Sequence, residues 1–377
     1  MEAIKENADY INSLWSKAEN KMRKAAPKMK GKIPYSARDG KYDNVYPNEP
    51  DWWTNGFWGG LMWIFYDRTK DNLFFDAATD CEKLLNKAFN ERYESLHHDV
   101  GFMWDLTSGN NYRICENADS KVRLLECANL LMGRFNLTGG YIRAWNNPEY
   151  KTHTIIDTMM NLPLLYRASE IIGDERYSLV AKSHADMALR DHLRPDGAVV
   201  HIVEHSELTG ECVGYIPGQG YASDSVWSRG QAWAAYGFAI SYLFTKQEKY
   251  LTAAKRAAQY FIANVAETDW LPLCDFRAPK EPVLFDSTAG ACAACGLIEI
   301  GKLVGEYEKE FYNAAAINII KAMDKHFCNW KENEDSILQM GSHSYHKLSE
   351  RHIHIIYGDF FLAEALYKLT GGNRLFW

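Results

Sequence analysis

The amino-acid sequence predicts an all-α fold, an (α/α)6 toroid of six helical hairpins in a single domain over residues 1–377. Three observations support this prediction. Apolar residues recur with a period near 3.6, whereas sustained alternation of period 2 is scarce. Short turns separate the periodic runs, and such turns join antiparallel helical hairpins. Gly and Pro occur singly between the runs, so no linker divides the sequence into domains.

The periodic runs predict twelve helices, and one segment departs from the helical pattern. Residues 197–216 alternate more strongly and predict a short β-hairpin. A weak repeat, in which a turn with a polar residue precedes an aromatic residue, supports pairing of the helices, and its irregular spacing argues against a solenoid. The predicted helices span residues 3–24, 55–68, 72–91, 102–113, 116–134, 154–172, 174–191, 227–244, 247–265, 287–304, 308–327 and 357–369.

Six short polar motifs stand at the starts of helical stretches. The inner helices of a toroid run in one direction, so these motifs are expected to meet at one end of the ring. Unpaired N–H groups at helix starts favour polar or anionic ligands. Tryptophan faces beside acids and amides are suited to sugars. The motifs occupy residues 52–58, 97–102, 155–157, 227–231, 286–288 and 357–359.

The composition narrows the classes of partner. The net charge is −7 and the pI is about 6.0, which disfavours nucleic acid and anionic membrane surfaces. No apolar run approaches the ~20 residues of a membrane span. Residues 1–7 are polar and lack the apolar core of a signal peptide, so a cytoplasmic location is predicted. Aromatic residues make up 14%, enough to suggest a site lined by stacking rings.

The eight cysteines fit a reducing compartment. Most lie in helical runs beside alanine and are expected to be small buried apolar residues. Cys292 and Cys295 form a C-x-x-C without a second pair or a βαβ pattern around it. We therefore expect neither a zinc nor a redox role for this pair.

Asp157 is the sharpest candidate for chemistry. It lies in the apolar run Thr154-Ile155-Ile156-Asp157-Thr158-Met159-Met160. A carboxylate in such a run is either costly core or functional, and the alternative role is to cap the helix that follows. Burial raises the pKa of a carboxyl group and allows it to hold a proton near neutrality.

Asp99 follows two histidines, and His97-His98-Asp99 invites interpretation as a metal site. Adjacent residues are expected to point in different directions, and no third ligand at helical spacing is evident, so no metal is predicted. An acid in a loop, held by polar neighbours, is the favoured interpretation. His352 and His354 form a similar pattern for which we expect a structural or peripheral role.

Residues 215–233 combine a Gly/Ser/Asp loop with Arg and Trp. Arg229 is able to form a forked pair with a carboxylate. Trp227 and Trp233 are either core residues or stacking surfaces, and the nearby Arg229 and Gln219 favour the site. For Asp286, which precedes a helical stretch, capping and a site role are equally favoured.

Five ordered motifs resemble those of the unsaturated glucuronyl hydrolases, glycoside hydrolase family 88. The resemblance extends from about residue 45 to 370. The motifs are Trp53-Thr54-Asn55-Gly56-Phe57-Trp58, His98-Asp99-Val100-Gly101-Phe102, Ile156-Asp157 with Asn161-Leu162-Pro163-Leu164-Leu165, Trp227-Ser228-Arg229-Gly230-Gln231-Ala232-Trp233 and Tyr357-Gly358-Asp359.

The resemblance implies a cofactor-free, metal-free cytoplasmic hydrolase. Its substrate would be an unsaturated uronate-containing oligosaccharide left by polysaccharide lyases, of the glycosaminoglycan type. Asp157 matches the family's catalytic acid/base and Asp99 its partner acid. Gly218 offers no basic side chain for a sulfate, and Lys347 lies in another loop, so sulfation preference stays open. The positions that match substrate contacts are Trp53, Trp145, His201, Gln219, Trp227, Arg229 and Trp233, with the match weaker at Trp145 and His201.

The implied reaction needs one group that gives a proton and then activates water. Lyases leave a C4=C5 double bond, so protonation at C4 and addition of water at C5 release the sugar. Asp157 is expected to do both, with the charge of Asp99 keeping it protonated. The alternatives are an unsaturated rhamnogalacturonyl hydrolase, a sugar epimerase using His201 with His346, and a non-catalytic sugar-binding protein. The aglycone, linkage and oligomeric state also stay open.

Overall fold

The computed structural model describes residues 2–377 and is built largely of α-helices. The helices are α1 (Glu2–Glu6), α2 (Ala8–Ala25), α3 (Asn55–Thr69), α4 (Asn72–Glu91), α5 (Asn110–Cys115), α6 (Ala118–Met132), α7 (Leu162–Ile172), α8 (Arg176–Asp191), α9 (Ser228–Thr245), α10 (Glu248–Ala266), α11 (Ser287–Leu303), α12 (Glu306–His326) and α13 (Ile356–Leu369). A π-helix, Gly101–Gly109, runs directly into α5.

The helices form an inner ring and an outer ring, as an (α/α)6 toroid requires. The inner members are α3, the π-helix with α5, α7, α9, α11 and α13, and each packs on the next until α13 meets α3. The outer members α4, α6, α8, α10 and α12 each pack on the inner helix before them, and α2 packs on α13. The predicted toroid of six hairpins is therefore confirmed.

Burial explains why the rings separate. Almost every side chain of α9 and α11 is buried, including Arg229 and Asp286 at or beside their starts, because inner helices have neighbours on all sides. The outer helices are amphipathic: α10 buries an alanine-rich stripe and exposes Glu248, Lys249 and Thr252.

The weak sequence repeat has a structural cause. Four inner segments end at a residue in the left-handed conformation, which stops the helix and allows the outer helix to start at once. The outer helix α4 is then capped by Asp71, whose side chain accepts from the Leu73 N–H at 2.9 Å. The left-handed residues are Lys70, Glu116, Gly173 and Lys246.

The strands are short and lie at the end of the ring where the inner helices begin. They are β1 (Ala37–Arg38), β2 (Lys41–Tyr42), β3 (Phe135–Asn136), β4 (Tyr141–Ile142), β5 (His153–Ile155), β6 (Ile202–His205) and β7 (Cys212–Ile216). The first two pairs are small hairpins, and β5, β6 and β7 form an antiparallel sheet in that order. The predicted hairpin within 197–216 is confirmed as β6 and β7.

One helix boundary in the sequence prediction is wrong. Residues 154–161 do not belong to an α-helix: β5 ends at Ile155, a 3-10 turn covers Ile156–Met160, and α7 starts at Leu162. This stretch is buried on all sides, so its apolar pattern carries no period that separates strand from helix. Asp157 therefore lies on a turn that enters an inner helix.

Two further expectations from the sequence concern the cysteines and membrane-spanning helices. Cys292 and Cys295 are fully buried in α11, and all eight cysteines are free thiols. Within residues 2–377, no helix has the length and apolar character to cross a bilayer.

Candidate active site

The two carboxyl groups singled out in the sequence meet at the start of the inner helices. Asp157 and Asp99 are 7% and 8% exposed. Asn161 joins them, because its amide nitrogen donates to Asp99 Oδ1 at 3.2 Å and to the Asp157 carbonyl at 3.3 Å. Its oxygen accepts from the Phe102 N–H at 2.8 Å. One buried amide thus fixes the Asp99 loop against the Asp157 turn.

Gly101 allows this close approach. A Cβ at that position would lie 2.5 Å from Asn161 Oδ1 and 2.7 Å from its Cα. The glycine in the motif His98-Asp99-Val100-Gly101-Phe102 is therefore required by packing between the two acid-bearing segments.

Burial and a neighbouring charge act on the Asp99 carboxyl. Burial, followed by the neighbouring charge of Asp157, raises the pKa of Asp99 well above its ordinary value, and the hydrogen bond from Asn161 opposes this only in part. The sequence argument had the charge of Asp99 keeping Asp157 protonated, and that assignment stays a prediction. We treat the carboxyls as a pair that holds one proton.

The His201 ring faces Asp157 Oδ1. Its Nδ1 lies 2.9 Å from the Gln219 backbone nitrogen and 3.2 Å from the Pro217 carbonyl. Because the backbone N–H can only donate and its contact is the shorter, we assign the proton of the neutral ring to Nε2. That Nε2 lies 3.4 Å from Asp157 Oδ1, and neither atom has a hydrogen-bond partner among residues 2–377. Gly218 makes the arrangement possible, since its φ is 57° and a Cβ there would lie 2.3 Å from His201 Nδ1.

Trp227 and Gln219 support His201. The Trp227 ring packs on the His201 ring with centroids 4.1 Å apart. The Gln219 side chain donates to the His343 carbonyl at 2.7 Å, which ties the His201 loop to the loop around residues 342–346. These two predicted site residues are thus brought to Asp157 through His201.

Arg229 lies behind this layer, and protein groups surround its guanidinium. Its side chain is 0% exposed and forms an ion pair with Asp286. It also donates to the carbonyls of Ser342 at 2.7 Å and His343 at 2.8 Å, and stacks on Trp227 at 4.4 Å. These contacts give no support to direct substrate contact by Arg229, which stays a prediction of the sequence, because Asp286 at the start of the neighbouring inner helix pairs with the guanidinium. Asp286 also caps α11.

Trp233 is likewise a core residue in this structure. It is 0% exposed and packs on Phe102 and Phe361 with centroids 5.3 and 5.4 Å away. It follows Arg229 by about one helical turn on an inner helix that has neighbours all round, so it has no surface for a sugar. This packing gives no support to a sugar contact by Trp233, which stays a prediction of the sequence, and Trp233 packs on Phe102 beneath the site.

Trp53 and Trp145 keep part of their surface exposed. Trp53 packs on Phe102 and Tyr357. Trp145 stands edge-on to His98, with centroids 6.3 Å apart, and lines a cleft. The other residues of this cleft are Asn147, Tyr150, His153, Ile202 and Ile216. These two rings are the predicted tryptophans that remain available for stacking.

The expectation that the adjacent side chains of His97 and His98 point in different directions is wrong. Both rings turn toward the same oxygen, with His97 Nδ1 and His98 Nε2 each 3.4 Å from Asp99 Oδ2. The second histidine pattern, His352 and His354, makes structural contacts. His354 forms a hydrogen bond with Asp359 at 2.8 Å, and His352 accepts from the Phe285 N–H at 3.0 Å.

Sequence reasoning missed the role of Asn161. A signal was present, because Pro163 marks the first turn of a helix, so Asn161 had to lie at its entrance, four residues after Asp157. His98 was also missed as a buried neighbour of Asp99. Its Nδ1 bonds to Thr158 Oγ1 at 2.9 Å, which links the Asp99 loop to the Asp157 turn a second time.

The buried acid pair at the mouth of an α/α toroid is that of a carbohydrate-active protein, and comparison with known families agrees. The model of Glycosyl Hydrolase Family 88 matches residues 25–268. The chain belongs to this family.

Two curated relatives and a solved structure extend the match over most of the chain. The unsaturated glucuronyl hydrolase of Bacillus sp. (strain GL1) is 32% identical over 347 residues, covering 90% of this chain and 91% of the relative. The unsaturated chondroitin disaccharide hydrolase of Streptococcus pneumoniae (strain ATCC BAA-255 / R6) is 30% identical, covering 89% and 86%. The crystal structure of the unsaturated glucuronyl hydrolase from Bacillus sp. GL1, described as responsible for the degradation of glycosaminoglycan, superposes with a TM-score of 0.88 at 30% identity, covering 95% and 96%.

Proposed function

We propose that this protein is a glycoside hydrolase that hydrates the C4=C5 bond of a terminal unsaturated glucuronate and so releases the sugar attached to it. Its substrates are disaccharides produced by polysaccharide lyases. The observation that carries the proposal is the buried Asp99–Asp157 pair, with Asp157 Oδ1 left free of protein hydrogen bonds within residues 2–377. The named activities of the family relatives support it.

The reaction follows from the bond that lyases leave. The C4=C5 double bond is an enol ether of the ring oxygen. A proton added at C4 leaves positive charge on C5, which the ring oxygen shares. Water adds at C5 and gives up a proton, and the hemiketal then opens. The link at C1 breaks without a second acid, so the paired acids of an ordinary glycosidase are not needed.

Asp157 is the proposed donor and acceptor in these steps. Its Oδ1 has no protein hydrogen bond, whereas Asp99 Oδ1 accepts from Asn161. Burial and the neighbouring charge of Asp157 raise the pKa of Asp99, so we propose that the two carboxyls share one proton. We propose that this proton passes to Asp157 when substrate is bound and then to C4. Asp157 next accepts a proton from the attacking water.

The surrounding groups fit a small anionic sugar. Trp53 and Trp145 offer ring faces, and His201 Nε2 offers an N–H beside Asp157. A net charge of −7 disfavours a long polyanion, whereas a disaccharide needs only local donors. Lys347 pairs with Glu350, so we assign it no sulfate.

The epimerase alternative receives less support. It needs a pair of catalytic histidines, and His201 lies buried against Asp157. His346 instead lies on an exposed loop, where its Nε2 bonds to the Tyr221 carbonyl at 2.8 Å. The two histidines thus have different surroundings.

Substrate and mechanism are tested together. Unsaturated disaccharides from chondroitin, hyaluronan, heparin and gellan are incubated with the protein, and loss of the enol-carboxylate absorbance is followed, with Asp157→Asn as control. In heavy water, deuterium is expected at C4, and labelled water is expected to place its oxygen at C5. Label at C1 with none at C4 would identify an ordinary glycosidase and refute the mechanism.

A further inference from the structure

Three possible metal ligands converge on one point of the Asp99 loop. His97 Nδ1 and His98 Nε2 are each 3.4 Å from Asp99 Oδ2, and the three atoms lie within 4.8 Å of one another. A tetrahedral zinc ion with bonds of about 2.0–2.1 Å separates its ligand atoms by roughly 3.3–3.4 Å. Two of the three separations already have that length.

The ligand atoms are oriented and available. His97 Nδ1 is buried and has no hydrogen-bond partner among residues 2–377, and the His97 side chain as a whole is 27% exposed. His98 Nδ1 bonds to Thr158 Oγ1 at 2.9 Å, the kind of outer hydrogen bond that orients a ligating histidine. Asn161 engages Asp99 Oδ1 and leaves Oδ2 for the cluster.

We propose that this cluster is an inhibitory site for a transition-metal ion of the zinc class. The ligands are His97 Nδ1, His98 Nε2 and Asp99 Oδ2, and water completes the tetrahedron. Two imidazoles and one carboxylate favour Zn²⁺, Co²⁺ or Ni²⁺ over Mg²⁺ or Ca²⁺, which prefer oxygen ligands. The inhibitory consequence rests on the proposed function, because a metal on Asp99 Oδ2 removes Asp99 from the acid pair. The binding itself rests on the three ligands alone.

Binding is tested without substrate. Chelator-treated protein is titrated calorimetrically with zinc chloride, alongside His97→Ala and the control His326→Ala, which removes an exposed histidine from α12. We expect one site in the wild type and the control, and affinity lower by at least about tenfold in His97→Ala. Asp99→Asn is expected to weaken zinc to a similar extent. Zinc held by the exposed Cys115 thiol would survive His97→Ala, so the difference between variants isolates the proposed site.

Inhibition is tested on whichever disaccharide is turned over. Zinc is expected to lower kcat, because it removes Asp99 from the acid pair. A chelator is expected to restore the rate, and half-inhibition is expected to require about tenfold more metal in His97→Ala than in His326→Ala, each relative to its own uninhibited rate. Magnesium at the same concentration is expected to have no effect.

The outcomes separate the two proposals. Equal zinc affinity in the wild type and His97→Ala, or no binding at 100-fold molar excess, overturns the metal site even if hydrolysis is observed. Zinc binding that depends on His97 but leaves turnover unchanged overturns the inhibitory role. Zinc binding that depends on His97, together with no hydrolysis of any unsaturated disaccharide, confirms the site and refutes the proposed function.

Discussion

Replacing Lys368 by Met is expected to destabilise the fold measurably. Lys368 is 0% exposed within the inner ring, with its Nζ 3.1 Å from Glu299 Oε2, 3.3 Å from Glu364 Oε1 and 2.5 Å from the Tyr236 hydroxyl. Burial lowers the pKa of Lys368, but the charges of Glu364 and Glu299 outweigh this and raise the pKa above its usual range. The lysine is therefore charged, and removing it leaves buried carboxylates without their shared cation.

The magnitude follows from which carboxylate is left unpaired. Removing one partner of a buried ion pair costs roughly 3–5 kcal/mol. Glu299 retains Lys302 at 3.2 Å, so Glu364 bears the loss. Because Tyr236 and Trp377 still donate to Glu364, at 2.7 and 3.2 Å, we expect the lower end, about 3 kcal/mol. At roughly 2.1 cal/mol/K per residue, this lowers the Tm by about 4 °C.

Thermal unfolding of three variants tests this reasoning. Lys302→Met removes a more exposed cation and is expected to change stability by less than about 1 kcal/mol. The double variant Glu364→Met/Lys368→Met replaces the ion pair by apolar groups and is expected to recover most of the loss. A Tm for Lys368→Met within about 1 °C of the wild type would refute the reasoning, as would a double variant less stable than the single one.

Four further predictions follow from the site and its surroundings. Asp157→Asn is expected to lower kcat/KM at least roughly 10²–10⁴-fold while the Tm is kept; a rate above a tenth of the wild type would exclude Asp157 as the acid. Arg229→Ala leaves Asp286 buried and unpaired, so a melt should show a loss of roughly 3–5 kcal/mol rather than a pure binding defect. Activity should survive exhaustive chelation, and its restoration by one divalent ion would contradict a metal-free mechanism. Burial lowers the pKa of His192 to about 4, so below about pH 6.5 the unfolded protein binds a proton at this residue that the folded protein does not. The contribution of His192 to stability is therefore full above about pH 6.5 and falls toward pH 4 by roughly 3 kcal/mol, which urea titrations across that range should show.

The sequence predicted the helices well because their periodicity is a direct result of packing. The outer helices bury one stripe, and the inner helices are bounded by turns whose polar and left-handed residues are visible in the sequence. The entrance to α7 was mistaken for helix because residues 154–161 are buried on all sides. The two-residue strands β1 to β4 are too short for an alternating pattern to reveal them.

The sequence predicted only part of the site, because burial on all sides hides which way a side chain faces. The pairing of Asp99 with Asp157 came from the resemblance of their motifs to those of the family, and the geometry of a toroid predicted only that the motifs meet at one end. Arg229 and Trp233 lie on a helix that is buried all round, where the sequence does not distinguish a side chain facing the cavity from one facing a neighbouring helix. A cytoplasmic location remains a prediction of the sequence.

The acids of the six motifs differ in what satisfies their oxygens. Asp359 accepts from the N–H groups of Ile337 and Leu338, from Tyr42 and from His354. Its lone pairs hold the start of α13 in place and are not free for a substrate. Asp157 Oδ1 has no such donor among residues 2–377.

A carboxylate at a helix start therefore has either a structural or a chemical role in these motifs. When donors surround it, it fixes the helix end; when one oxygen stays free in a buried site, it can exchange a proton with a bound molecule. Both uses place the same residue type at the same point of the sequence. Only the folded structure shows which oxygens are occupied, and this supports the proposal that Asp157, rather than Asp359, carries the chemistry.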